Sequence, residues 1–299
     1  MTQDQSLLDM TRCRLCPRNC GTDRRRSPGF CGEKTKIRCA RAALHFWEEP
    51  CISGRRGSGT VFFSGCSLKC CFCQNYQISQ NHIGKTVSPE RLAEIFLSLQ
   101  DQGAHNINLV TASHFLPGVL SALDLARPKL HIPVVYNSGG YEKPEIIELL
   151  KGYVDIYLPD LKYYDPRISA RYSNADNYFQ MASQAISAMI AQTGKPVFDQ
   201  EGMMTKGVII RHMVLPGCRK DSSALLRWMK GNLPEGLGTK PSPASILLFI
   251  KAASILRSIE GLLPTNTIRF WMRPSHWASP RDLCRRKAAL KKNIRPLLI

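Results

Sequence analysis

Three cysteines, Cys66, Cys70 and Cys73, form a C-x3-C-x2-C array directly after the apolar run Val61 to Phe63 and the turn Ser64-Gly65. Three thiolates so close in sequence can hold one face of an iron–sulfur cube and leave the fourth iron without a protein ligand. An iron left open suits chemistry or ligand binding rather than a structural role. The competing use, half of a zinc site, usually pairs C-x2-4-C hooks from two segments; the strand-to-loop context here favours a [4Fe–4S] cluster. Cys71, inside the array, reads as a thiol packed beside the cluster. A second group, Cys13, Cys16, Cys20 and Cys31, reads C-x2-C-x3-C-x10-C, with Pro17, Gly21, Pro28 and Gly29 supplying turns between the thiols. Four thiols in so short a stretch can close a four-coordinate site, for zinc or for a second iron–sulfur cluster. Cys39 and Cys51 have no evident partner and read as buried thiols or spare ligands.

The elements that must position these thiols follow from periodicity. Residues 1–58 show little helical or strand pattern and read as a small cysteine-rich appendage, with Arg24-Arg25-Arg26 as a solvated turn. Beyond them, apolar strands alternate with amphipathic helices. Strands are expected at Val61–Phe63, Ile107–Thr111, Ile132–Tyr136, Val154–Leu158 and Gly207–Leu215. Ser88-Pro89-Glu90 is a helix start with a cap, proline in the first turn and an acid beside it, and Leu92, Ile95, Phe96 and Leu99 share one face. Further helices are expected over Pro117–Ala126, from Pro144 to Leu150, over Asp176–Gln192 and over Ser222–Lys230, the last capped by Asp221. Such alternation means a parallel sheet with right-handed crossovers. Five βα units before residue 238 fall short of a full (β/α)8 barrel, so the fold class is α/β with a partial barrel.

The apolar share of 43% in 299 residues is ample for one such domain. No apolar run approaches the ~18 residues of a membrane span. Twelve cysteines without a secretory pattern point to metal binding in a reducing cytoplasm. The formal charge of +18 would suggest nucleic acid as a partner. Its distribution argues otherwise: from Thr239 onward twelve Lys and Arg stand against only Glu260 and Asp282, so the last fifth of the chain carries most of the excess.

The three-cysteine loop on a strand end resembles the radical S-adenosylmethionine (radical SAM) superfamily. Over residues 13–236 the chain is similar to the pyruvate formate-lyase activating enzyme and relatives with an N-terminal cysteine module. Val154 to Lys162 resembles the family's fourth strand, ending in Asp160-Leu161-Lys162, and Arg211 to Gly217 resembles the fifth, where an arginine opens an Arg-x-x-Val-x-Pro-Gly segment. The resemblance implies a (β/α)6 TIM-like barrel whose cluster binds S-adenosylmethionine, with Arg211 on the cofactor carboxylate and Asp160 and Lys162 beside it. It also implies an electron donor of the flavodoxin or ferredoxin type, and a glycyl-radical enzyme or another protein or peptide as substrate. Two departures stand out. Where many members carry Gly-Gly-Glu, this chain has Thr111-Ala112-Ser113-His114, so Ser113 and His114 become candidate cofactor contacts. Where the activating enzyme has an aspartate for a cation, this chain has Asn137, and no cation site is carried over.

The resemblance runs through the barrel segment 59–236 and stops there; 237–299 reads as a tail translated out of frame. Codons can be chosen for Pro243 to Lys251 that, read out of phase, spell SQYTPFYK, a segment similar to the family's at this place, and Ala253 to Ile268 behaves likewise. The tail is accordingly expected to be disordered, without the sixth strand. Three function readings follow: an active radical SAM enzyme, an inactive product of a frameshifted gene, and a metal-binding nucleic-acid protein.

Overall fold

The computed structural model describes residues 6–233 and 247–251. Among them the parallel core is built from β2 (Ser58–Phe63), β4 (Ile107–Val110), β5 (Val134–Ser138), β6 (Ile156–Pro159) and β8 (Met204–Met213). An antiparallel edge, β1 (Arg38–His45) with the two-residue β3 (Lys85–Thr86), extends it beside β2. At the other side β8 pairs antiparallel with β7 (Val197–Phe198) and parallel with β9 (Leu247–Lys251). Crossovers run through α3 (Pro89–Asp101), α4 (Leu116–Ala126), α5 (Pro144–Leu149), α6 (Pro166–Ser173) and α7 (Tyr178–Thr193), and α8 (Arg219–Asn232) follows β8. The short α1 (Pro50–Ser53) and α2 (Tyr76–Ser79) flank β2. This is the partial α/β barrel expected from the alternation, with the sixth parallel strand of the (β/α)6 form that the resemblance implies.

The core strands read as continuous apolar runs because both of their faces are covered. Val134, Tyr136, Tyr157, Val208 and Ile210 belong to the main core with the helices, while Val135, Ile156, Leu158 and Ile209 form a second core around Ile52 of α1. Helix α3 starts where its sequence says, the Ser88 hydroxyl accepting from the Arg91 amide at 3.2 Å. It buries Leu92, Ile95, Phe96 and Leu99, each worth roughly 1.5–3 kcal/mol.

Four expectations are corrected. Within the cysteine-rich first 58 residues, read as having little strand pattern, β1 pairs with β2 across Cys39 to His45; nearly all of its residues are half-buried, so alternation is weak in the sequence. Arg24 is no solvated turn residue, being fully buried. Asp221 does not cap its own helix: it lies in the first turn of α8, and its carboxylate accepts from the Tyr164 and Asp165 amides instead. The tail does supply a sixth parallel strand, Leu247–Lys251, in register with Ile209 to Met213 of β8. An apolar, β-prone run next to an unpaired strand edge pairs with it whatever its origin. The rest of the tail call lies outside the described residues.

Candidate active site at the strand ends

The carboxyl ends of the core strands are level. Phe62 stands opposite Val110, Val110 opposite Asn137 and Asn137 opposite Leu158, and a bridge joins Asp160 to Arg211. In parallel sheets this edge is where ligands bind. The cysteine loop leaves β2 through Gly65 at φ +81°, a conformation that glycine alone adopts freely. The Cys66 amide donates to the Cys31 carbonyl at 3.3 Å, and the Cys71 amide to the Tyr172 carbonyl at 2.9 Å. The loop is thus held between the N-terminal segment and α6.

Cys66, Cys70 and Cys73 lie within electrostatic reach of one another. Each sulfur has a polar partner: the Leu68 amide donates to Cys66 Sγ at 3.4 Å, the Ser173 hydroxyl to Cys70 Sγ at 2.8 Å, and the Ser79 hydroxyl lies 3.2 Å from Cys73 Sγ. Burial pushes the Cys66 thiol up to about 12, whereas a bound metal deprotonates such a thiol outright. Among the described residues no three His, Cys, Asp or Glu side chains are already closed on an ion. The donor set nevertheless fits a cluster: three soft sulfurs, each with a polar partner, and the Lys162 ammonium near two of them. Cys71, half buried, has its own backbone contact to α6.

Across the barrel mouth, Asp160 joins two cations. Its Oδ2 pairs with Lys162 Nζ, and its Oδ1 lies 2.9 Å from Arg211 Nε. Arg211 further donates to Asn137 Oδ1 at 2.6 Å and reaches Glu48 Oε2 at 3.4 Å. Burial works against both cations. Asp160 and Cys70 outweigh it at Lys162, and Asp160 with Glu49 and Glu48 outweighs it at Arg211, so both are held above their ordinary values. The motif reading found Asp160, Lys162 and Arg211 and missed Glu48, whose only signal was an acidic pair in an otherwise basic segment.

Ser113 and His114 are drawn into a separate buried network. Ser113 donates to Glu142 Oε1 at 2.6 Å and accepts from the Tyr136 hydroxyl at 2.8 Å. Burial pushes the Glu142 carboxyl up to about 7. The His114 ring holds the Ser64 carbonyl through Nε2 at 2.6 Å, and burial and the nearby Arg24 push it down to about 3, so it is a neutral donor. Thr111, just before them, sits at φ +61°, a strained conformation for a β-branched residue and one that glycine takes without cost. Cys13, Cys16, Cys20 and Cys31 gather in the N-terminal segment, away from the Asp160 group. Cys39 is fully buried on β1 and Cys51 half buried on α1.

Three sulfur donors on the first core strand's loop, with a carboxylate, an ammonium and a guanidinium across the mouth, define a class: partial α/β barrels fit to hold a metal–sulfur cluster beside a charged organic ligand. Residues 60–217 match the family model of the radical SAM superfamily, and the chain belongs to that superfamily. It is 35% identical over 212 residues to an uncharacterised protein of Methanocaldococcus jannaschii, MJ0674, covering 68% of this chain and 57% of the relative. The chain thus spans a little over half of that relative's length. Among solved structures it is similar to SuiB of Streptococcus suis bound to its precursor peptide SuiA, at 14% identity and TM-score 0.42 over 64% of this chain and 38% of that one. It is also similar to anSMEcpe with bound AdoMet, at 14% identity and TM-score 0.42 over 63% of this chain and 49% of that one. No helix of the described residues is long and apolar enough to cross a membrane.

Proposed function

We propose that this chain is a radical SAM enzyme that binds a [4Fe–4S] cluster through Cys66, Cys70 and Cys73 and S-adenosylmethionine at Asp160, Lys162 and Arg211, acting on a protein or peptide substrate in the manner of a glycyl-radical activating enzyme. A cluster held by Cys66, Cys70 and Cys73 would supply one-electron reduction of the sulfonium of S-adenosylmethionine, the chemistry from which hydrogen abstraction on the substrate would follow. The chain's own contribution is positioning and exclusion of water. The Arg211 fork presents two donors to a carboxylate, Asp160 holds both that fork and the Lys162 ammonium, and the apolar cluster around Ile52 fills the barrel. The single observation that carries the reading is the convergence of a three-thiol loop and the Asp160–Lys162–Arg211 group on one level row of strand ends. The activating role and a small flavodoxin or ferredoxin as electron donor rest on the resemblance carried by the Asp160-Leu161-Lys162 and Arg211-to-Gly217 signatures, and a reducing cytoplasm as the setting rests on the twelve cysteines.

Anaerobic reconstitution with iron and sulfide, followed by reduction with S-adenosylmethionine present, tests it. The expected result is a brown protein that forms 5′-deoxyadenosine and methionine, with Cys73→Ala losing both colour and product. A zinc-loaded, colourless chain binding nucleic acid in a salt-dependent way would sink the reading. A cluster without cofactor turnover would assign this chain to a disrupted gene.

A further inference from the structure

Arg24 is the most fully buried cation of the molecule's N-terminal segment, at 0% exposure. Its guanidinium donates to the carbonyls of Glu33 at 3.0 Å and Lys34 at 2.6 Å and to that of His114, and it approaches Cys13 Sγ at 3.9 Å. Its hydrogen bonds are satisfied, but its charge is not: among the described residues no carboxylate stands at ion-pair distance from it, the nearby Glu33 being engaged by Arg38 and His82. A buried charge without a counter-charge costs several kcal/mol in most settings. The groups around it that can become anions are thiols. Cys13 touches it, and Arg24 acts electrostatically on Cys31.

Those thiols also carry the backbone signature of ligands. The backbone amides of Arg18 at Cys16, Thr22 and Phe30 at Cys20, and Glu33 at Cys31 all act to favour the thiolate, the first of each set from two residues downstream, while the Cys31 thiol itself reaches the Glu33 carbonyl at 3.9 Å. Amide donors aimed at sulfur stabilise thiolates and gain little from neutral thiols. The same two-residue turn recurs at Cys66, where the Leu68 amide donates to the sulfur. The space is small: a Cβ on Gly29 would lie 3.3 Å from Cys20 Sγ and 3.2 Å from Arg24 Cδ, and Cys20 and Cys13 are in hydrogen-bond contact. The Cys13 and Cys20 sulfurs, in contact, can both reach a single ion.

We propose that Cys13, Cys16, Cys20 and Cys31 bind a single divalent metal ion as a tetrathiolate, and that Arg24 is its built-in counter-charge. Four thiols release four protons and the ion brings two positive charges, leaving a centre of charge −2 that the guanidinium partly offsets. Among the described residues no three of these thiols stand at ligand spacing, so ion binding includes drawing the loop in around the metal.

The test uses the full chain carrying Cys66→Ala, Cys70→Ala and Cys73→Ala, so that metal can remain only elsewhere. Elemental analysis should return one zinc, or one iron without acid-labile sulfide, per chain, and cobalt(II) exchanged into the site should give the intense visible bands of a tetrahedral thiolate centre. Adding Cys20→Ser, at the most exposed of the four thiols, should weaken those bands and shift them. Arg24→Met should lower cobalt affinity at least tenfold while leaving the band positions alone, because Arg24 is no ligand, and Arg24→Lys should restore part of the affinity. Absence of metal, or acid-labile sulfide with a cluster chromophore, would overturn the single-ion site; an Arg24→Met chain with undiminished affinity would overturn the counter-charge.

Discussion

The chain holds two groups of cysteines, and their surroundings differ in one respect. Cys66, Cys70 and Cys73 face a mouth where cations are matched with acids, Asp160 serving Lys162 and Arg211, and Glu48 adding a second carboxylate. Cys13 and Cys31, of the group Cys13, Cys16, Cys20 and Cys31, adjoin a buried arginine whose hydrogen bonds go to carbonyls and whose fork also lies over the Phe115 ring. Charge balance in the first region is complete without any ligand, which suits a site that a charged cofactor enters and leaves. In the second it is incomplete until the thiols ionise, which suits a permanent ion. On the two proposals sulfur holds a resident metal in both places, and the neighbouring charges decide where a further ligand can enter and leave.

The two regions meet at Gly65, so the largest effect is expected there. A Cβ on Gly65 would stand 2.6 Å from Glu33 Cγ and 2.8 Å from the Cys31 carbonyl oxygen, at a φ of +81°. The oxygen belongs to the backbone and cannot swing aside, and the left-handed conformation adds roughly 1–2 kcal/mol of its own. Gly65→Ala should therefore cost about 4 kcal/mol in denaturant melts, the upper range for one substitution. If the N-terminal site and the cluster loop are one mechanical unit, it should also reduce metal retention at both. Loss at the cluster alone, with the N-terminal ion intact, would separate them.

Much of this was legible in the sequence. The βα alternation, the α3 face and the Asp160 and Arg211 signatures depend on local periodicity and short motifs, and their positions shifted by two or three residues at most. What stayed hidden depends on pairing across long separations. Arg24 looked like one of three solvated arginines because nothing local says that its fork is met by the carbonyl of His114, ninety residues away. Glu48 looked like loop because its partner Arg211 lies in another βα unit. The strand at Leu247–Lys251 was discounted on the grounds of its coding frame, yet an exposed strand edge selects on hydrophobicity and β-propensity alone.

A second pair of buried bases extends the comparison. Arg24 is buried charged, while His212 on β8 is buried neutral: burial, acting with Lys162, pushes it down to about 4. One ring nitrogen lies 2.6 Å from the Leu161 carbonyl and the other 2.9 Å from the Ser222 hydroxyl, so it clamps the Asp160-Leu161-Lys162 turn to α8. A base with a depressed folded pKa stabilises the fold above its unfolded value near 6.5, and that stability is lost as pH falls toward the folded value. By pH 5 the loss should reach about 2 kcal/mol. His212→Gln should lower stability at pH 7 but flatten this acid arm when melting temperature is followed from pH 7 to 5. An unchanged slope would place the acid sensitivity elsewhere.

The smallest expected effect sharpens the claim that the mouth is balanced for exchange. Of the groups on Arg211, Asp160 at 2.9 Å and Asn137 at 2.6 Å hold it closely, and Glu48 at 3.4 Å is the loosest. A cofactor carboxylate arriving at the guanidinium has Glu48 as its competitor, because both want the same nitrogen and repel each other. Glu48→Gln removes the repulsion and keeps the shape, so affinity for S-adenosylmethionine, read by equilibrium dialysis of the cluster-loaded chain, should rise three- to tenfold, about 1 kcal/mol. Arg211→Lys, which gives up the fork, should lower it by at least as much. Were Glu48→Gln instead to weaken binding, Glu48 would be holding Arg211 in place for the ligand, and the mouth would resemble the N-terminal site in needing every one of its own charges.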